Sequence, residues 1–168
     1  MNKKILILFA FAAVSVLGSC GVYSFKDVSI PPEVKTIRIQ YIDNRARYNN
    51  PQLSPQLTDR LRTKINNQTR LTPVQSEDAH YDVGGYVSDY TVTTSGISNQ
   101  QAATNRLTVT IHLVFQNRLD PTKNFEADVS RNFDFSASLS LNQAEASLGE
   151  TIVRNMVDEI FNRIFSNW

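Results

Sequence analysis

Cysteine occurs once in the 168 residues, at position 20, so no disulfide can form within the chain and stability must come from packing. Histidine occurs twice. Neither His80 nor His112 stands at metal-ligand spacing from a cysteine, so no metal and no cofactor is expected. His80, beside Asp78 and Asp82, reads as a solvated loop residue and His112 as part of a polar strand face. No serine sits in a G-x-S-x-G elbow, and Gly84-Gly85 falls inside a strand pattern rather than a phosphate loop. Glu126, Asp128 and Asp134 share one strand face, but no sugar-cleaving cleft is legible around them. An enzyme is not expected. An excess of one charge is also missing: 17 Lys and Arg stand against 16 Asp and Glu. That balance excludes a general polyelectrolyte binder, nucleic-acid proteins included. Beyond Val16 there is no apolar run long enough to span a bilayer.

What is present begins at the N-terminus. Lys3 and Lys4 precede an apolar run, Ile5 to Val16, and then Leu17-Gly18-Ser19-Cys20. Basic start, apolar centre and small residues are the parts of a secretory signal. Leu-x-small-Cys resembles the lipobox of bacterial lipoproteins, in which the thiol takes a diacylglycerol and the chain is cut before the cysteine. The expected organisation is a signal peptide over 1–19, a lipidated tether over 20–32 and one α+β domain over 33–168. Two or more acyl chains make a stable anchor where one does not. Gly21 follows Cys20 with no acidic cluster behind it, which favours an outer-membrane, periplasm-facing location. Removal of 1–19 leaves 15 of the 17 basic residues and all 16 acidic ones, so any anionic ligand must meet a local cluster.

Along the domain, Val34 to Ile42 alternates as a half-buried strand, with Ile37, Ile39 and Tyr41 on one face. Asp43 to Pro51 is a polar loop. Ser54-Pro55 predicts a helix start, and Leu53, Leu57, Leu61 and Ile65 mark its buried stripe. Leu71 to Val74 is a short edge segment. Three strands follow, over Tyr81 to Thr94, Asn105 to Asn117 and Phe125 to Ser136, with Gly84-Gly85 as a bulge or close approach. Ser95 to Thr104 reads as an uncharged loop, and Asp120 to Lys123 as a tight turn. A closing helix is signalled by Asn142 and Glu145 at capping-box spacing, and by Leu148, Ile152, Met156, Ile160, Ile164 and Trp168. The expected fold is a two-layer α+β sandwich in the order β-α-β-β-β-α. Its sheet is four-stranded and mostly antiparallel, with both helices on one face.

Basic residues carry the functional lead. Arg45 and Arg47 share a loop, Arg106 opens a strand and Lys123 lies in the hairpin turn. Arginine grips phosphate with a fork of donors and lysine as a point charge. If these four converge they form an anion site.

The segment Cys20 to Phe25, the run Ser29 to Ile37, the helix after Leu53-Ser54 and Gln68-Thr69-Arg70-Leu71 together resemble the lipopolysaccharide-assembly lipoprotein family LptE. The likeness covers the whole mature chain. It implies a non-enzymatic lipoprotein of the outer membrane that plugs a large β-barrel, LptD, and helps place lipopolysaccharide on the cell surface. It also implies lipopolysaccharide binding through basic residues, for which Arg45, Arg47, Arg106 and Lys123 are the candidates here. Two other classes stay open: a lipoprotein of another envelope lipid-transport or secretion system, and a lipid-anchored hydrolase.

Overall fold

The computed structural model describes residues 30–98 and 101–166. Cys20, the signal peptide, the tether up to Ser29 and Trp168 lie outside the described residues.

The sheet is built on strand β4 (Tyr81–Ser98), strand β5 (Gln101–Asn117) and strand β6 (Phe125–Ser136), an antiparallel meander. Alternation in β5 sends Leu107, Val109, Ile111, Leu113 and Phe115 inward, all buried, as their period of two predicts. The β5–β6 connection is a single 3-10 turn, Pro121–Lys123, capped by the Asp120 side chain. Gly85 is required by a close approach. Its φ is +156°, and a Cβ there would lie far inside contact distance of the His112 carbonyl oxygen on β5.

The expected four-stranded, mostly antiparallel sheet is corrected to a six-stranded mixed one, in the order β3-β1-β4-β5-β6 with β2 beside β4. Strand β1 (Thr36–Ile39) pairs in parallel with β4 on one side and with strand β3 (Thr72–Pro73) on the other. Helix α1 (Leu53–Gln68) makes this possible, because a parallel partner needs a crossover long enough to return the chain to the starting edge. Pro73 lacks an N–H and sits in an edge strand, where that absence is tolerated. The predicted strand over Val34–Ile42 stops at Ile39. There the chain steps inward: the Ile42 amide donates to Thr58 Oγ1 at 3.1 Å and its side chain is buried, while Tyr41 turns out to solvent at 53% exposure. Pairing resumes as strand β2 (Asp43–Asn44), parallel to Tyr86 and Val87.

Helix α1 buries the predicted Leu53, Leu57, Leu61 and Ile65. Its cap differs from the expected one. Gln52 is the N-cap with no side-chain bond, and Ser54 lies two residues further in, buried, its hydroxyl without a hydrogen-bond partner among the described residues. Helix α2 (Leu141–Phe165) buries Ile152, Met156, Ile160 and Ile164, widened by Val153, Val157, Phe161 and Phe165. Its capping box is made by Ser140 and Gln143 rather than by Asn142 and Glu145. The two helices run side by side in the same direction. Near their C-terminal ends Lys64 meets Asp158 at 2.8 Å. Both close over the inner sheet face, and their apolar stripes join the strand residues in one core. No helix among the described residues is long and apolar enough to cross a membrane.

The segment expected as a loop over Ser95–Thr104 instead continues the β4–β5 pairing, with Ser98 opposite Gln101. Among the described residues no strand pairs with the other edge of β4 beyond Val87, and β6 ends at Ser136 opposite Thr104. The end of this hairpin is therefore a two-stranded ribbon reaching past the sandwich.

Candidate functional site

The helices leave the outer face of the sheet uncovered. Period two puts the polar residues of β4, β5 and β6 there, and register pairs them across the strands. Thr108 Oγ1 donates to Asn132 at 2.9 Å, and the hydroxyls of Thr110 and Ser130 meet at 3.0 Å. Arg106 holds Asp134 through two bonds, at 2.7 and 2.9 Å, which keeps that carboxyl below its usual range. His112 reaches Asp128 with Nδ1 at 2.9 Å and Glu126 with Nε2 at 3.4 Å. The hydrogen bond to Asp128, against a smaller opposing effect of burial, raises the His112 pKa. The three same-face carboxylates of β6 thus each find a basic partner on β5.

The middle of this face is organised by Tyr86. Its ring lies 5.1 Å from that of His112, and the Arg45 guanidinium sits over it at 4.3 Å. Arg45 is placed there by β2, because its amide donates to the Val87 carbonyl at 3.0 Å. Further along, Asp82 is buried at 2% exposure on the outer side of β4. It accepts from Arg38 through both oxygens and from Gln40 at 3.0 Å.

The four basic residues singled out in the sequence do not converge on one point. Arg45 projects over the centre of the face and Arg47 is exposed in the following loop. Arg106 is committed to Asp134. Lys123 lies in the turn beyond Asn117, at the far end of β5 from Arg106, with eleven residues of strand, about 36 Å at roughly 3.3 Å per residue, between Arg106 and Asn117. The sequence reading missed Arg38. Its place on the polar side of β1 was visible, but its partner Asp82 lies 44 residues away. His80, expected in solvent, is half-buried and bonded: its Nδ1 accepts from the Lys35 amide at 3.0 Å. Among the described residues no group of His, Cys, Asp or Glu is gathered to hold a metal ion.

Comparison with solved structures finds a similar fold in two proteins of low sequence identity. A minor lipoprotein from Acinetobacter baumannii matches with a TM-score of 0.54 at 15% identity, over 80% of this chain and 94% of that one. The hypothetical protein CT253 from Chlamydia trachomatis matches with a TM-score of 0.50 at 9% identity, over 79% of this chain and 99% of that one. At such identities the likeness speaks to fold alone. No curated protein matches the sequence. The family model described as LptE, lipopolysaccharide-assembly, matches residues 34–164, which takes in every strand and all but the last residue of α2. The chain belongs to the LptE family of lipopolysaccharide-assembly lipoproteins.

Proposed function

We propose that this protein is the lipid-anchored outer-membrane component of a lipopolysaccharide export machine, acting as plug and assembly partner of an LptD-like β-barrel and binding lipopolysaccharide, with its domain facing the periplasm. Family membership supports the reading. The observation that carries it furthest is the uncovered sheet face, polar across three strands and internally paired. A wide barrel has a polar, water-lined interior. A face of paired hydroxyls, amides and ion pairs can lie against such a wall without exposing apolar surface, with Arg45 as its one loosely paired charge among those described above. Arg45, Arg47, Arg106 and Lys123 remain the proposed contacts to the phosphorylated glycolipid. Their separation makes them contacts to different parts of it, or successive ones, rather than one pocket. Arg45 is the best placed, at 61% side-chain exposure with only a 3.7 Å approach to Asp43.

The test is detergent extraction of the tagged full chain. A large outer-membrane β-barrel should co-purify in stoichiometric amount, and the complex should bind lipopolysaccharide less tightly when all four basic residues are changed to Ala. Recovery of a different envelope transporter or a secretion channel in place of the barrel would assign the chain to that system instead.

The anchor is testable separately. Cys20→Ser is expected to abolish incorporation of a clickable fatty acid and to leave unprocessed precursor, because no other cysteine can take the lipid. Equal label in the variant would remove Cys20 as the anchor.

A further inference from the structure

At the N-terminal ends of the two helices lies a second feature, on the opposite side of the sheet from the open face. We propose that this cleft binds an uncharged sugar ring of an oligosaccharide. Its volume is about 320 Å³, and it opens into a groove of about 580 Å³ between α1 and α2. One wall is a tyrosine pair: Tyr48 stacks on buried Tyr90 with centroids 5.5 Å apart and planes 21° apart, and Tyr48 stays 37% exposed. Beside it the Glu145 carboxylate accepts from the Tyr90 hydroxyl at 2.7 Å, the Asn50 amide at 3.0 Å and the Tyr48 hydroxyl at 3.2 Å. The floor is apolar, with Leu53, Ile152 and Val153.

The geometry explains the tyrosines and Glu145 as a latch between the 48–50 loop, β4 and α2. Two further features shape the cleft. Gln52, Gln56 and Asn142, all exposed, line it and supply amide groups at its rim. Gly149 sits inside α2, where glycine weakens a helix, and a Cβ there would meet nothing within 4 Å. A long side chain at this position would enter the groove, which Gly149 lines.

A pyranose suits this lining. It presents a C–H face to an aromatic ring and a rim of hydroxyls that both donate and accept, as amides do. The cleft is in the size range of small-ligand sites, with a few converging polar groups over an apolar floor. An anion suits it poorly: Asp59, Glu145 and Glu150 line the groove against the single base Arg60. The inference therefore rests on the glycolipid reading above and divides it, with the sugar held between the helices and the phosphates met by basic residues elsewhere. The sugar has two possible sources, the lipopolysaccharide core or a peptidoglycan glycan.

The experiment uses the full lipidated chain in detergent and follows backbone amide NMR signals of Gln56, Ala146 and Gly149. The probes are core oligosaccharide freed from lipid A, chitotriose and inorganic phosphate. Core oligosaccharide is expected to shift these signals saturably and phosphate to leave them unmoved. Gly149→Leu, which fills the groove, should weaken binding at least tenfold, while Gly149→Ala, which only adds a Cβ into open space, should bind as the parent does. Binding of chitotriose alone, lost in Gly149→Leu, upholds the sugar cleft and assigns the other source. No shift with either sugar at millimolar concentration, or binding unchanged by Gly149→Leu, overturns the inference. Co-purification of the barrel does not depend on this result, so the two readings fail separately.

Discussion

Ile111→Ala is expected to lower the melting temperature on the order of 10 °C, the counterpart of the roughly 2–5 kcal/mol lost when a fully buried isoleucine is truncated. Ile111 is completely buried at the centre of β5, opposite Val87 on one side and Val129 on the other. All three sit on the inner face, which the helices cover, so the cavity would open where the surrounding strands cannot collapse into it. Thr110, one residue earlier, points to the open face, where among the described residues its side-chain hydroxyl meets only that of Ser130. Thr110→Ala should change stability by less than about 0.5 kcal/mol, as surface substitutions do. Thermal unfolding of the two variants side by side tests the register of the whole meander. Equal shifts would mean that β5 is turned the other way.

Asp82→Ala is the second large effect. Asp82 is almost fully buried and holds Arg38, whose side chain is 18% exposed, through Nε at 3.1 Å to each oxygen and Nη2 at 2.5 Å. Removing the carboxylate leaves a guanidinium with only the exposed Glu77 for a partner. The expected cost is about 3 kcal/mol, the low end for breaking a buried pair because Arg38 keeps some contact with water. The pair also has a pH signature. Burial alone pushes the Asp82 carboxyl up, but the hydrogen bonds from Arg38 and Gln40 outweigh it and hold the pKa below the usual value. A depressed folded pKa contributes stability that is complete above the unfolded value, about 3.9. That stability is lost as pH falls through the folded value. The parent should therefore lose more stability than Asp82→Ala on acidification below about pH 4. Urea unfolding at several pH values measures this. Parallel curves for the two proteins would show that the pair contributes nothing.

The parts of this fold legible in the sequence are those with a local period. The β5 alternation from Leu107 to Phe115 and the four-residue stripes of the helices were enough to assign faces, because side-chain direction follows directly from spacing. Strand β3 was legible as a short edge segment over Leu71 to Val74, but its parallel partner was not, and strand β2 was read as loop. Two residues have no period, and what pairs Asp43–Asn44 and Thr72–Pro73 into the sheet is a neighbour brought in by tertiary structure. The Ser95–Thr104 segment reads as a loop because its composition is polar, yet the β4–β5 ladder carries on through it. The α2 cap was misplaced by two residues because both Ser140/Gln143 and Asn142/Glu145 have capping spacing. Glu145 is instead drawn to Tyr48, Tyr90 and Asn50, a choice no local pattern records. Arg45, Arg47 and Lys123 lie in or beside loops and turns, but Arg106, expected to open a strand, falls inside β5 because the pairing with β4 runs on to Gln101. The distances between the four depend on strand lengths and on where the 45–48 loop turns, so their separation was not legible in the sequence.

The parallel placement of β1 has a consequence in time. The meander of β4, β5 and β6 closes through neighbouring hairpins, and such local contacts form quickly. Strand β1 must wait for β4, since Arg38 and Asp82 are 44 residues apart. In a chain that is exported from its N-terminus, the first strand to emerge is among the last to find its partners. Until then the segment around Ile30, which in the finished domain is pinned by the Arg70 side chain, stays accessible. Cys20 lies only ten residues upstream. With Cys20 acylated as proposed, that order of assembly would leave the segment entering the domain unpinned until β1 docks.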